Sequence, residues 1–112
     1  MTARLNFLEL PVLDAARSSA FYGAAFDWHF TAFGPTYACT MSGDTDLGFQ
    51  SESREKSAAP LPVIQVDDLE AALAKVSDAG GTISAPIFAF PGGRRFHFLD
   101  PDGHELAAMQ AA

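Results

Sequence analysis

The chain has 112 residues with ten Phe, 48% hydrophobic residues and a net charge of −7. That length fits one domain with a substantial core. The acidic balance argues against a nucleic-acid partner, because a phosphate backbone rewards a basic face. One cysteine, Cys39, excludes an intrachain disulfide and suits a reducing, cytoplasmic setting. The N-terminus has no apolar signal-peptide core and no apolar run is long enough to span a bilayer, so no membrane partner is expected.

In chain order, Leu5 to Val12 alternates as a strand. Asp14 is a good N-cap for a helix with Ala16, Ala20, Phe21 and Ala24 at helical spacing; Gly23 weakens this helix without ending it. Phe26 to Phe30 leads into a strand, Thr36 to Met41 forms the next, and Thr45 to Gln50 follows the turn at Ser42-Gly43-Asp44. The polar, aperiodic stretch 51–60 reads as a linker. Pro62 to Val66 is then a strand, and Asp67 or Asp68 caps a helix carrying Leu69, Ala72, Leu73 and Val76 on one face. Gly80-Gly81 ends that helix. Thr82 to Ile87 is a strand, Ala89 to Gly93 a loop, and Arg94 to Leu99 pairs with Glu105 to Gln110 around Asp100-Pro101-Asp102-Gly103.

The pattern occurs twice. Leu10-Pro11-Val12-Leu13-Asp14 matches Ile64-Gln65-Val66-Asp67-Asp68, and Leu47-Gly48-Phe49-Gln50 matches Ala107-Ala108-Met109-Gln110. Each copy reads as strand, helix and three strands. The expected fold is α+β in a single domain: two tandem βαβββ modules, about 4–50 and 61–110, forming a curved, partly open mixed sheet around a cleft with the helices outside.

These motifs in order resemble the vicinal oxygen chelate superfamily, which includes glyoxalases, bleomycin-resistance proteins and extradiol dioxygenases. The resemblance is carried by Leu10 to Asp14 with Ser19-Ala20-Phe21-Tyr22 and Phe26-Asp27-Trp28, by Val66 to Leu69 with Ala79-Gly80-Gly81, and by Phe98 to Glu105. It implies one divalent ion held by four side chains. Two of these precede the helix-capping Asp by seven residues, and one follows the turn glycine of the second module by four. Here those positions are Phe7, Leu61 and Ala107, with Leu47 at the matching end of the first module. None can coordinate a metal, so no metal and no cofactor is expected.

Strand parity then gives a ligand-binding set of Phe7, Glu9, Leu47, Phe49, Leu61, Gln65, Phe96, Glu105 and Ala107, with Phe98 and Arg94 beside Phe96. An apolar, aromatic wall with a few polar groups is the usual build of a small-molecule site. Its two carboxylates favour a cationic or aromatic ligand. Phe7, Phe49, Phe96, Phe98 and Met109, each taken alone, read as core before they read as ligand contacts. Glu9 is either a ligand group and candidate general base, or half of an ion pair with Arg94 or Arg95. Glu105 is either in the site or a surface charge beside the turn. His29, His97 and His104 show no metal-ligand spacing, and Cys39 reads as a small buried apolar residue. The resemblance implies a homodimer that sequesters a small molecule. The alternative is a glyoxalase-like lyase or isomerase, or a dioxygenase-type enzyme.

Overall fold

Asp14 and Asp68 each sit in extended backbone and turn a side-chain oxygen onto the first free N–H groups of a helix. Asp14 accepts from Ala16 and Arg17, Asp68 from Ala71. These caps start α1 (Ala15–Phe26) and α2 (Leu69–Asp78) in a computed structural model that describes residues 2–112. The strands are β1 (Ala3–Pro11), β2 (Thr31–Ala32), β3 (Tyr37–Cys39), β4 (Asp46–Gln50), β5 (Leu61–Val66), β6 (Thr82–Phe90), β7 (Gly93–Leu99) and β8 (Glu105–Ala111). The fold is α+β with parallel and antiparallel pairings mixed, and the order βαβββ occurs twice. Among the described residues no helix is long and apolar enough to cross a membrane.

The chain divides into two units, Phe7–Leu61 and Pro62–Ala112, the second joined by the residues up to Asn6. In the first unit β1 runs parallel to β4, and β2, β3 and β4 pair antiparallel in sequence. In the second, β5 runs parallel to β8, and β6, β7 and β8 pair antiparallel. Both copies thus bring their first and last strands side by side.

The core of the second unit lies between α2 and its sheet. Val66, Leu69, Ala72, Phe96 and Ala108 are buried together, with Ile64, Leu73, Val76, Ile83, Ile87 and Phe98 packed around them. The apolar stripe of α2 is therefore the one its periodicity names. The helix stops in a Schellman motif, Gly81 N–H to Val76 O and Gly80 N–H to Ser77 O, with Gly80 at φ +101°.

α1 presents a different face from the one its alanines indicate. Ala15 is buried and Ser18, Ser19 and Tyr22 are half-buried, whereas Ala16, Ala20 and Ala24 are exposed and Phe21 is 62% exposed. Alanine and aromatic residues surround this helix, so periodicity selects no stripe. Tyr22 does, by stacking on Phe49 with ring centroids 5.5 Å apart.

The loop expected over Ala89 to Gly93 is instead a tight hairpin. Phe90 pairs with Gly93, which leaves only Pro91 and Gly92 between the strands.

Candidate functional site

In each unit the helix covers one face of the strands, and the candidate site residues divide between that face and the opposite one. Laterally paired residues share a face. In the first unit Phe7 pairs with Asp46 and Glu9 with Gly48, while Leu8 pairs with Leu47 and Leu10 with Phe49. Because Tyr22 of α1 stacks on Phe49, the set Leu8, Leu10, Leu47 and Phe49 faces the helix. Phe7, Glu9 and Gly48 face away from it, with Tyr37 and Cys39 beside them through the β3–β4 pairing. Leu47 and Phe49 are therefore core residues on the opposite face from the expected site. Matching Leu47 to Ala107 was one residue out of step, and a one-residue slip reverses every side chain. The structural counterpart of Ala107 is Gly48.

Gly48 has a clear packing role. A Cβ there would lie 2.5 Å from the Phe7 ring and 3.1 Å from the Tyr37 hydroxyl. The Phe7 ring thus occupies the space over β4 that a side chain at residue 48 would need. Glu9, one of the largest fully buried side chains, is 1% exposed beside it.

The same parity test in the second unit groups Val63 and Gln65 with Ala107 and Met109 across the β5–β8 ladder. Across β7–β8, His97 pairs with Ala107 and Arg95 with Met109, whereas Phe96 pairs with Ala108 and Phe98 with Leu106. Phe96 is 0% exposed in the core beneath α2. Phe96, Phe98 and Arg94 thus belong to the helix side, again one residue out of step with expectation. Arg94 extends over α2 and holds Glu70 with two hydrogen bonds of 2.6 and 3.1 Å. Hydrogen bonding from Arg94 keeps the Glu70 carboxyl below its ordinary range, and Glu70 in turn raises Arg94.

The helix-free face of β7 instead presents Arg95 and His97, which parity missed. Arg95 is buried with its guanidinium 5.3 Å from the Phe88 ring centroid and 5.2 Å from that of Phe90. His97 is 8% exposed and lies against Phe88 at 5.6 Å. Glu105, at the start of β8, accepts from the Ser84 hydroxyl at 3.1 Å, and His97 Nδ1 lies 3.3 Å from the same oxygen. Gln65 accepts from the Asn6 amide at 2.8 Å. The first residue of β5, Leu61, shares the parity of Val63 and Gln65 and is fully buried.

Cys39 is also buried. Burial first, and then the Asp46 charge, pushes its thiol up, which keeps it protonated and unreactive. Burial pushes Asp46 upward too. Hydrogen bonds from the Ser42 hydroxyl and N–H, the Thr40 hydroxyl and the Gly43 N–H outweigh that and leave its carboxyl below the ordinary range.

The chain matches the model of the Glyoxalase/Bleomycin resistance protein/Dioxygenase superfamily over residues 4–108 and belongs to that superfamily. No curated protein matches it. Among solved structures it resembles one titled NAD-dependent benzaldehyde dehydrogenase from Legionella pneumophila, with 25% identity, TM-score 0.79, and coverage of 96% of this chain and 99% of that one. It also resembles methylmalonyl-CoA epimerase from Mycobacterium tuberculosis, with 13% identity, TM-score 0.72, and coverage of 96% and 87%. A third similar structure is the Mn(II)-bound glyoxalase from Novosphingobium aromaticivorans, with 17% identity, TM-score 0.70, and coverage of 97% of this chain but 40% of that one.

A divalent ion does not fit the residues at the four family positions. Phe7, Leu61 and Ala107 are apolar, and the fourth position is Leu47 by sequence matching or Gly48 by register, neither of them a donor. Among the described residues no group of three or more His, Cys, Asp or Glu is gathered to hold a metal.

Proposed function

We propose that this protein is a small-molecule-binding member of its superfamily that works without a divalent ion and sequesters an aromatic or cationic compound. The observation that carries the reading is the replacement of metal-ligating side chains by Phe7, Gly48, Leu61 and Ala107 on the helix-free faces of the two units. The apolar residues and interspersed Gln65, Glu105 and His97 support ligand binding, because apolar walls supply affinity and a few polar groups supply orientation. The net charge of −7 supports a cationic preference over an anionic one. The single buried Cys39 supports a cytoplasmic setting.

The reading includes a homodimer. It is supported by exposed aromatic residues of the first unit, Phe21, Phe26 and Trp28, of which Phe26 and Trp28 stack at 5.2 Å. Sedimentation should give one species at twice the 11.9 kDa chain mass; a monomer at micromolar concentration refutes this part.

The test of binding is thermal melting of EDTA-treated protein with a panel of bicyclic aromatic compounds, neutral and cationic. A ligand at one hundred times its dissociation constant adds about 2.7 kcal/mol. A saturable shift by at least one aromatic compound without metal is expected. Shifts that appear only after a divalent ion is restored would overturn the reading.

A further inference from the structure

Three strands of the second unit converge on one carboxylate. Ser84 lies on β6, His97 on β7 and Glu105 on β8, and both partners address the same oxygen, Glu105 Oε2. The other oxygen, Oε1, accepts no hydrogen bond among the described residues. The Glu105 side chain is 33% exposed, and its two hydrogen-bonding partners both lie on Oε2. A surface carboxylate normally loses side-chain entropy when it grips a partner. Anchoring one oxygen through Ser84 and His97 reduces that cost in advance.

Among the described residues neither neighbouring arginine hydrogen-bonds this carboxylate. Arg94 is bound to Glu70 on the helix side. Arg95 pairs with Met109, four residues along β8 from Glu105, and its guanidinium lies over the Phe88 and Phe90 rings. His97 approaches Oε2 through Nδ1, and its Nδ1–H tautomer donates to that oxygen. Phe88, 37% exposed, lies against His97 and offers an aromatic surface next to that charge.

We propose that Glu105, positioned by Ser84 and His97, is the ionic anchor of the ligand site and takes a protonated amine carried on an aromatic body. This inference rests on the aromatic-binding reading above and names its polar specificity. A charge-assisted hydrogen bond from an ammonium to Oε1 is stronger than a neutral one. The aromatic body would then lie toward Phe88 and the apolar residues of β5 and β8.

The experiment compares 2-(aminomethyl)naphthalene, a cation at neutral pH, with 2-naphthalenemethanol, its neutral analogue. Both are titrated by fluorescence into EDTA-treated wild type, Glu105→Gln and Ser84→Ala, each checked for a native melting transition. Wild type should bind the amine about tenfold more tightly than the alcohol, the gain expected of one charge-assisted hydrogen bond. Glu105→Gln should abolish that preference, and Ser84→Ala should reduce it. Equal affinities in wild type, or a preference that survives Glu105→Gln, overturn the anchor. If the alcohol binds without any amine preference, the aromatic reading stands and only the anchor fails. If neither compound binds, both fail.

Discussion

Replacing Phe96 with Ala separates a core role from a ligand-wall role. The ring is 0% exposed and packs with Val66, Leu69, Ala72 and Ala108. Burying a Phe removes about 150–250 Å² from water, and at about 25 cal/mol per Å² this gives an upper bound near 4–6 kcal/mol. Measured Phe→Ala losses in cores fall at about 3–5 kcal/mol once cavity formation is included. A domain of this size is stable by about 5–15 kcal/mol, so the variant folds but is severely weakened. At roughly 4 °C per kcal/mol its melting midpoint falls by about 12–20 °C. Urea unfolding followed by circular dichroism reads the loss directly, and Phe96→Leu should restore most of it. A loss below about 1 kcal/mol, the range of peripheral substitutions, would refute the placement of Phe96 beneath α2.

Other outcomes follow from the same structure. Gly93 has φ +148°, and a Cβ there would run into the Gln110 carbonyl oxygen, so Gly93→Ala should cost at least about 2 kcal/mol; a urea midpoint equal to wild type contradicts this. The Asp46 carboxyl is held below its ordinary value of 3.8, so its contribution is complete above that pH and is lost as pH falls through the lowered folded value. The stability gap between wild type and Asp46→Asn should therefore shrink on acidification below pH 3.8, and a constant gap across a pH series of urea melts is the opposing result. Cys39, buried and with its thiol pushed up, should react with a disulfide reagent at the rate of unfolding; immediate stoichiometric labelling of folded protein would disprove its burial.

Much of the architecture is legible in the sequence. The duplicated βαβββ order, both Asp caps and the turn before Glu105 are local signals, with side chain and backbone acting within a few residues. The side-chain orientation of β4 and β7 is not legible, because their apolar residues, Leu47 and Phe49 on β4 and Phe96 and Phe98 on β7, suit a ligand wall as well as a core beneath a helix. Alternation then defines two sets of residues without saying which set the helix covers. Tyr22 stacking on Phe49 and Phe96 packing under Leu69 decide that, and both contacts join residues more than twenty positions apart. The misplacement of Leu47, Phe49 and Phe96, and the omission of Arg95 and His97, have this one origin. Phe7, Glu9, Gln65, Glu105 and Ala107 lie on helix-free faces. The α1 stripe was misread for the related reason that alanine marks no particular face.

The central claim is that the family's metal positions have become apolar and that binding proceeds without an ion. Equilibrium dialysis of EDTA-treated protein against Mn²⁺, Ni²⁺, Zn²⁺ and Fe²⁺, followed by elemental analysis, tests it most directly. The account predicts no saturable uptake of any of the four. One equivalent of a single ion per chain, retained after exhaustive dialysis, would contradict it.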